Sequence, residues 1–230
     1  MQVQTEEIHI TVPSAEDSVQ QTELQIKKKP VYSFFKRFFD IVVAVLGLII
    51  LFVPLLIIGL IIVIDSPGAS PIFVQKRVGK DGREFKLYKF RSMVPNADQM
   101  LEKLLDKNEM EGPAFKIKDD PRITRVGRFI RKCSIDELPQ LWNVIKGDMS
   151  LVGPRPPLPR EVEQYTEDQH MRLAVIPGIT CYWQVQPQRN SLSFEEWLDL
   201  DLKYIEKRSF GTDIVILFKT IGAVCGLEGE

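Results

Sequence analysis

Two adjacent carboxylates, Asp136 and Glu137, stand near the start of Ser134–Ile145 (SIDELPQLWNVI). The stretch has helical spacing, and two readings fit it. In the first, Ser134 is an N-cap and Ser134-x-x-Glu137 forms a capping box, with Glu137 bonding back to the Ser134 amide. Asp136 then complements the helix dipole in the first turn. In the second, the helix N-terminus attracts a phosphate, and a divalent cation screens its repulsion from the two acids. Adjacent helical residues diverge by about 100°, so one carboxylate can attack while its neighbour holds the metal.

Phosphate chemistry needs cations, and the sequence offers three groups. Lys89 and Arg91 alternate with Phe90 and so share one face of a strand. Thr124–Lys132 (TRVGRFIRK) reads as a short basic helix carrying Arg125, Arg128, Arg131 and Lys132, with Val126, Phe129 and Ile130 inward. Arg155 lies in Leu151-Val-Gly-Pro-Arg-Pro-Pro157, where flanking prolines stiffen the backbone so that a guanidinium can fork onto phosphate. A solvated edge, a basic surface face or a stiff surface loop would account for the same residues.

The element that must position all of these is Ile41–Ile64, twenty-four residues without a charged or amide side chain, closed by Asp40 and Asp65. About 20 apolar helical residues match the hydrocarbon core, so hydropathy alone reads a span. Two features point elsewhere. Lys27–Lys29, Lys36 and Arg37 precede the run and Lys76, Arg77, Lys80 and Arg83 follow it, whereas a simple span carries its positive residues on one side. Pro54 sits at the midpoint, where it removes a backbone hydrogen bond. Together they suggest a re-entrant helix-break-helix with both ends on one face. Aromatics beside Lys36 and Arg37 in Tyr32–Asp40 suit the headgroup level.

The chain has 230 residues and a net charge of −1, which argues against nucleic acid as a partner. Three widely spaced cysteines form neither a disulfide framework nor a metal motif and suit a reducing compartment. Residues 1–30 are polar and read as a flexible tail. Ile72–Val74 and Phe85–Phe90 are short strands joined by a Gly79-Lys-Asp-Gly82 turn. Asn96–Asn108 is an amphipathic helix capped by Asn96, and Gly112-Pro113 breaks the chain after it. Gly147 ends the Ser134 helix. Pro159–Glu167 and Asp168–Val175 are helical, and Thr180–Val185 is a strand containing Trp183. Phe194–Lys207 is an amphipathic helix capped by Ser193. Asp213–Val224 is a core helix or one lying at the membrane interface.

The order of these pieces resembles the bacterial sugar transferase family, the monotopic polyprenyl-phosphate phosphoglycosyl transferases. The motifs are Lys89-Phe-Arg-Ser-Met, Ser134-Ile-Asp-Glu-Leu-Pro-Gln, Lys146-Gly-Asp-Met-Ser, Gly153-Pro-Arg-Pro, Pro177-Gly-Ile-Thr and Leu200-Asp-Leu-Lys-Tyr-Ile. The resemblance implies an α+β, mostly α fold. A re-entrant membrane segment (31–66) precedes a small helical catalytic domain (67–230) with a short β-hairpin and interfacial amphipathic helices. It implies transfer of a sugar 1-phosphate from a UDP-sugar to undecaprenyl phosphate with release of UMP, which initiates exopolysaccharide, capsule or glycoconjugate synthesis. By the same resemblance Asp136 is the nucleophile, and Glu137, with Asp136, holds Mg²⁺ or Mn²⁺. Lys89, Arg91, Arg131 and Arg155 bind phosphate, and Asp201 matches an acid near the donor. The implied location is the cytoplasmic face of the bacterial inner membrane, in contact with the lipid bilayer; a homodimer stays open.

Two departures qualify the match. Val53 replaces the serine that usually precedes the membrane-segment proline. The extra multi-span domain of larger members is missing, so the catalytic module is expected to be essentially the whole protein. A membrane-anchored non-catalytic binding protein and a metal phosphohydrolase are the competing classes. The sugar is not legible; Gln184–Asn190 is a guess from position.

Overall fold

The computed structural model describes residues 29–109, 117, 119–186 and 192–226. The polar tail up to residue 28, the Gly112-Pro113 break and residues 187–190 of the Gln184–Asn190 stretch lie outside the described residues.

The fold is mostly helical and starts with α1 (Pro30–Asp65), a 36-residue helix with Pro30 in its first turn. At 1.5 Å per residue it is about 54 Å long. Pro54 lies within this helix. One face packs on the rest of the chain at helical spacing: Asp40 and Ala44 are buried, Leu48, Leu55 and Ile58 are half-buried, and Ile62 is buried. The opposite face is bare and apolar, with Ile50 at 74 % and Ile64 at 71 % exposure.

A β-hairpin follows. β1 (Ile72–Val78) pairs antiparallel with β2 (Glu84–Phe90), from Ile72↔Phe90 to Val78↔Glu84. Asp81 and Gly82 turn the chain at positive φ (56° and 76°). The predicted Asn96 helix is shorter: α2 (Ala97–Leu101) tightens into a 3₁₀ segment, Glu102–Lys107. Asn96 makes no side-chain cap bond, and so short a helix has little stability of its own.

α3 (Arg125–Lys132) is the expected basic helix, with the Thr124 hydroxyl accepting from the Gly127 amide at 2.9 Å. Its buried stripe differs from expectation. A β-carbon on Gly127 would lie 1.9 Å from the Ser92 carbonyl oxygen, so this face presses on the backbone. Val126 and Ile130 then pack inward on Ile62 and Phe90, and Phe129 is left 63 % exposed.

The predicted Ser134–Ile145 helix is divided into a 3₁₀ turn (Ile135–Gln140) and α4 (Leu141–Lys146), with Gly147 ending α4 at φ 95°. Asn143 on α4 is fully buried and joins this element to the hairpin. Its side-chain oxygen accepts from the Tyr88 amide at 3.1 Å, and its amide donates to the Lys86 carbonyl at 2.7 Å. β3 (Ser150–Val152) pairs in parallel with β4 (Gly178–Thr180), Ser150 opposite Gly178. The expected Thr180–Val185 strand therefore stops at Thr180, and Tyr182–Val185 turn. This aims Trp183 inward, where it stacks on Trp197 at 4.3 Å.

Between β3 and β4 lie α5 (Pro159–Val162) and α6 (Glu167–His170). α7 (Phe194–Lys207) starts with a Ser193–Glu196 capping box, and α8 (Phe210–Cys225) closes the described fold. α8 buries Asp213 and Ile216, as the core-helix alternative expects, and leaves Phe218 and Ile221 exposed on its other face. The main core gathers Ala44, Leu87, Val144, Met149, Val152, Ile205 and Ile216 from α1, β2, α4, β3, α7 and α8.

Asp213 ties three helices together. It accepts from the Tyr32 hydroxyl at 2.7 Å, the Lys36 ammonium at 2.9 Å and the Tyr204 hydroxyl at 2.8 Å. Removing one partner of a buried pair leaves the other charge uncompensated. Asp213→Ala is therefore expected to lower unfolding stability by about 3–5 kcal/mol. Urea unfolding in detergent micelles measures it, and a midpoint unchanged from wild type would refute the role given to this carboxylate.

Candidate active site

The two acids sit on a turn that is not an α-helix start. Ser134 has φ 53° and ψ 20°, its amide donates to the Arg131 carbonyl at 2.9 Å, and its side chain caps nothing. The capping-box reading is thus overturned. The chain leaves α3 through a left-handed residue and enters a 3₁₀ turn containing Pro139, so Ser134 lacks the extended backbone that an N-cap adopts. Three residues per turn eclipse positions i and i+3. Glu137 and Gln140 accordingly line the same cleft, while Asp136, buried at 8 % exposure, is not among its lining residues.

The cleft is lined by Arg77, Lys89, Glu137, Gln140, Arg155 and Gln184, and its inner cavity is about 20 Å³. Lys89 projects from β2 and meets Glu137 at 2.8 Å, both side chains 24 % exposed. Arg155 lies over the Trp183 ring at 5.9 Å. Its loop is anchored by the main chain: Gly153 N–H donates to Thr180 at 3.0 Å, and the Gly178 amide donates to the Pro154 carbonyl at 2.9 Å. A β-carbon on Gly178 would stand 2.0 Å from the Gly153 nitrogen, so only glycine allows this approach. Three cations face one carboxylate here, a surplus of positive charge suited to a diphosphate.

Arg77 was counted in the sequence only as a basic residue flanking the apolar run. In the structure it is 7 % exposed and holds the Arg155 loop. One guanidinium nitrogen donates to the Pro156 carbonyl at 2.9 Å, two others grip the Gln75 side-chain oxygen at 3.1 and 2.8 Å, and the Val78 amide donates to Pro157 at 2.9 Å. Burial, with Arg155 nearby, pushes the Arg77 guanidinium down to about 10. The i, i+2 spacing of Gln75 and Arg77 places both on one face of β1, the only local signal for this pair. Gln140 carried no signal as a site residue; Gln184 opens the Gln184–Asn190 stretch that its position put forward for sugar choice, and it lines the cleft.

The other predicted phosphate binders lie elsewhere. Arg91 donates to the Ser70 carbonyl at 2.7 Å, because β2 ends at Phe90 and the face shared with Lys89 is not continued. Arg131 is on α3, where its charge reaches Asp120, and it is not among the cleft-lining residues. Asp201 is fully buried behind Arg155 and ion-pairs with Arg172. Burial pushes the Asp201 carboxyl up to about 6 against the pull of Arg172.

Among the described residues no group of three or more His, Cys, Asp or Glu side chains could hold a metal ion. Magnesium commonly binds through one or two carboxylates together with substrate phosphates. Glu137, which lines the cleft, fits the part of one such carboxylate, and Asp136 is its neighbour in the chain.

The bacterial sugar transferase family matches residues 31–226. The UDP-galactose-lipid carrier transferase of Erwinia amylovora is 48 % identical over 200 residues, 85 % of this chain and 41 % of its own length. The undecaprenyl-phosphate galactose phosphotransferase of Salmonella typhimurium is 45 % identical over 85 % of this chain and 41 % of its own length. The exopolysaccharide production protein ExoY of Sinorhizobium fredii is 41 % identical over 88 % of this chain and 90 % of its own length. The chain thus spans about two-fifths of the first two relatives and nine-tenths of the third. With the motif order, the cation-rich cleft and a match over most of its length, this chain belongs to the bacterial sugar transferase family.

Proposed function

We propose that the protein transfers a sugar 1-phosphate from a UDP-sugar to undecaprenyl phosphate, and so starts assembly of an exopolysaccharide, capsule or glycoconjugate. The observation that carries this reading is the cleft in which Lys89, Arg77 and Arg155 face Glu137, one residue from the buried Asp136. The names of the Erwinia and Salmonella relatives supply the donor and acceptor classes.

In this mechanism Asp136 attacks the β-phosphorus of the donor. A carboxylate-oxygen–phosphorus bond forms, the bond from that phosphorus to the oxygen bridging the α-phosphate breaks, and UMP leaves with that oxygen. A phosphate oxygen of undecaprenyl phosphate then attacks the same phosphorus, forming the lipid diphosphate and freeing Asp136. The covalent intermediate divides one displacement between two bulky substrates into two steps. Lys89 and Arg155 hold phosphoryl oxygens, and Arg77 fixes the Arg155 loop so that the guanidinium meets them without reorganising. When bound, Mg²⁺ or Mn²⁺ held by Glu137 with Asp136 would neutralise charge on the diphosphate.

The chain acts from the cytoplasmic face of the inner membrane, with α1 entering one leaflet and both its ends on the same side. Its packing supports this. Near the N-terminal end Arg37 donates to the Val144 and Ile145 carbonyls at 2.6 and 3.0 Å, and near the C-terminal end Ile62 packs with Phe90 and Ile130. Contacts of both helix ends with one domain favour ends on the same side of a bilayer over a span. α1 runs unbroken through Pro54 in the structure. The re-entrant reading requires it to bend in the leaflet, and Pro54, where the backbone lacks one hydrogen bond, is the place proposed for that bend.

Three outcomes test the proposal. Asp136→Ala is expected to lower UMP release from a UDP-sugar panel by about 10³-fold or more; turnover at the wild-type rate would exclude the covalent route, and inorganic phosphate as product would indicate a phosphohydrolase. Arg77→Gln is expected to lower kcat/KM by about a hundredfold through loss of loop positioning, and Arg77→Lys to recover part of it. Cysteines introduced near Lys29 and at Lys80 are expected to resist an impermeant maleimide in intact cells; labelling of one but not the other would restore a spanning helix.

A further inference from the structure

A groove of about 620 Å³ lies away from the cleft, where the start of α1 meets the start of α8. Its walls are aromatic: Phe35, Phe38, Phe39 and Phe210, with Phe39 and Phe210 in edge-to-face contact at 5.4 Å where the two helices cross. Two cations line the same groove, Lys29 and Arg208. The Lys29 ammonium donates to the Arg208 carbonyl at 2.8 Å and the Glu206 carbonyl at 3.3 Å, which fixes it without neutralising its charge. The Tyr32 hydroxyl is already committed to Asp213.

We propose that this groove holds one anionic phospholipid of the surrounding leaflet, with an acyl chain along the phenylalanines and the phosphate against Lys29 and Arg208. The inference rests on the membrane reading of α1 given above. The volume lies within the ~300–1,000 Å³ typical of ligand sites. The chemistry selects an amphiphile, because a polar solute would need hydrogen-bonding partners along the walls. The positive charges of Lys29, held by two backbone carbonyls, and of Arg208, which donates to the Ile205 carbonyl, favour an anionic head over an uncharged one. Phe35 and Phe38 are more than half exposed and continue onto the bare apolar face of α1, through Val42, Leu46 and Ile49, so a chain can enter sideways from the bilayer. The positive charge of Lys29 stands at the end of α1 where the apolar run has not yet begun, the level of lipid phosphates. A lipid seated there would bridge α1 and α8 and stiffen the joint made by Asp213.

Full-length protein in nanodiscs of equal phosphatidylglycerol and phosphatidylcholine, transferred to detergent and examined by native mass spectrometry, tests the proposal. One retained phosphatidylglycerol per chain is expected. Lys29→Gln keeps a donor for the two carbonyls and is expected to lower retention about tenfold, the size of one lost charge-assisted hydrogen bond. Phe35→Ser with Phe38→Ser alters exposed side chains and is expected to abolish retention. Flotation of the wild type on phosphatidylglycerol vesicles separates the two readings. A chain that fails to float overturns the membrane reading and the lipid site with it. A chain that floats yet retains no phosphatidylglycerol, or retains it equally in the variants, overturns the lipid site alone. So would a second copy of the chain lost from the wild type on these substitutions, or one-for-one displacement of the lipid by undecaprenyl phosphate.

Discussion

Asp40 is the joint on which the rest of the structure depends. It is 2 % exposed and lies one residue before the twenty-four that carry no charge. A carboxylate there is tolerable only if its oxygens are bonded. One accepts from the Ser150 hydroxyl at 2.7 Å, the other from the Leu151 amide at 3.3 Å, and Lys36 stands one turn earlier at 4.0 Å. The consequence reaches the active site. Ser150 and Leu151 belong to β3, and β3 runs directly into Gly153-Pro-Arg-Pro156. The apolar helix α1 and the loop carrying Arg155 are therefore fastened to each other through a buried carboxylate.

From that joint outward the cleft is assembled by backbone contacts. β4 holds one side of the Arg155 loop through Gly178, and β1 holds the other through Arg77 and Val78. Asn143 fastens β2 to α4, and this brings Lys89 to Glu137. Three cations converge on one carboxylate because three separate elements are each hydrogen-bonded into place. Their mutual repulsion is offset in part by Glu137, and a diphosphate would offset the remainder.

The bare apolar surface follows from the same economy of contacts. α1 buries one stripe on the domain and leaves the other apolar, α8 does likewise, and Phe129 and Trp142 add exposed aromatic surface. Apolar surface on this scale is costly in water. The proposed bilayer contact would remove the cost, and aromatics beside basic residues suit the boundary of a membrane.

Much of this was legible in the chain. Hydropathy marks the membrane run because its cause, the absence of any charge over Ile41–Ile64, is local. The hairpin turn, the Ser193 cap and the glycine stop at Gly147 are likewise set by neighbouring residues. So is the motif order that identifies the family. What the sequence could not supply were the relations decided at a distance. Asp136 and Glu137 looked like an α-helical N-terminus, yet packing after α3 forced Ser134 left-handed and turned the pair into a 3₁₀ segment. That rotation sends Glu137 to Lys89 and buries Asp136. Arg77 looked like surface charge until Pro156, 79 residues away, received its hydrogen bond. Asp201 looked like a substrate contact until Arg172 claimed it inside the core. A side chain's local pattern determines which element it joins; its partner depends on which elements pack together, and only the tertiary structure decides that.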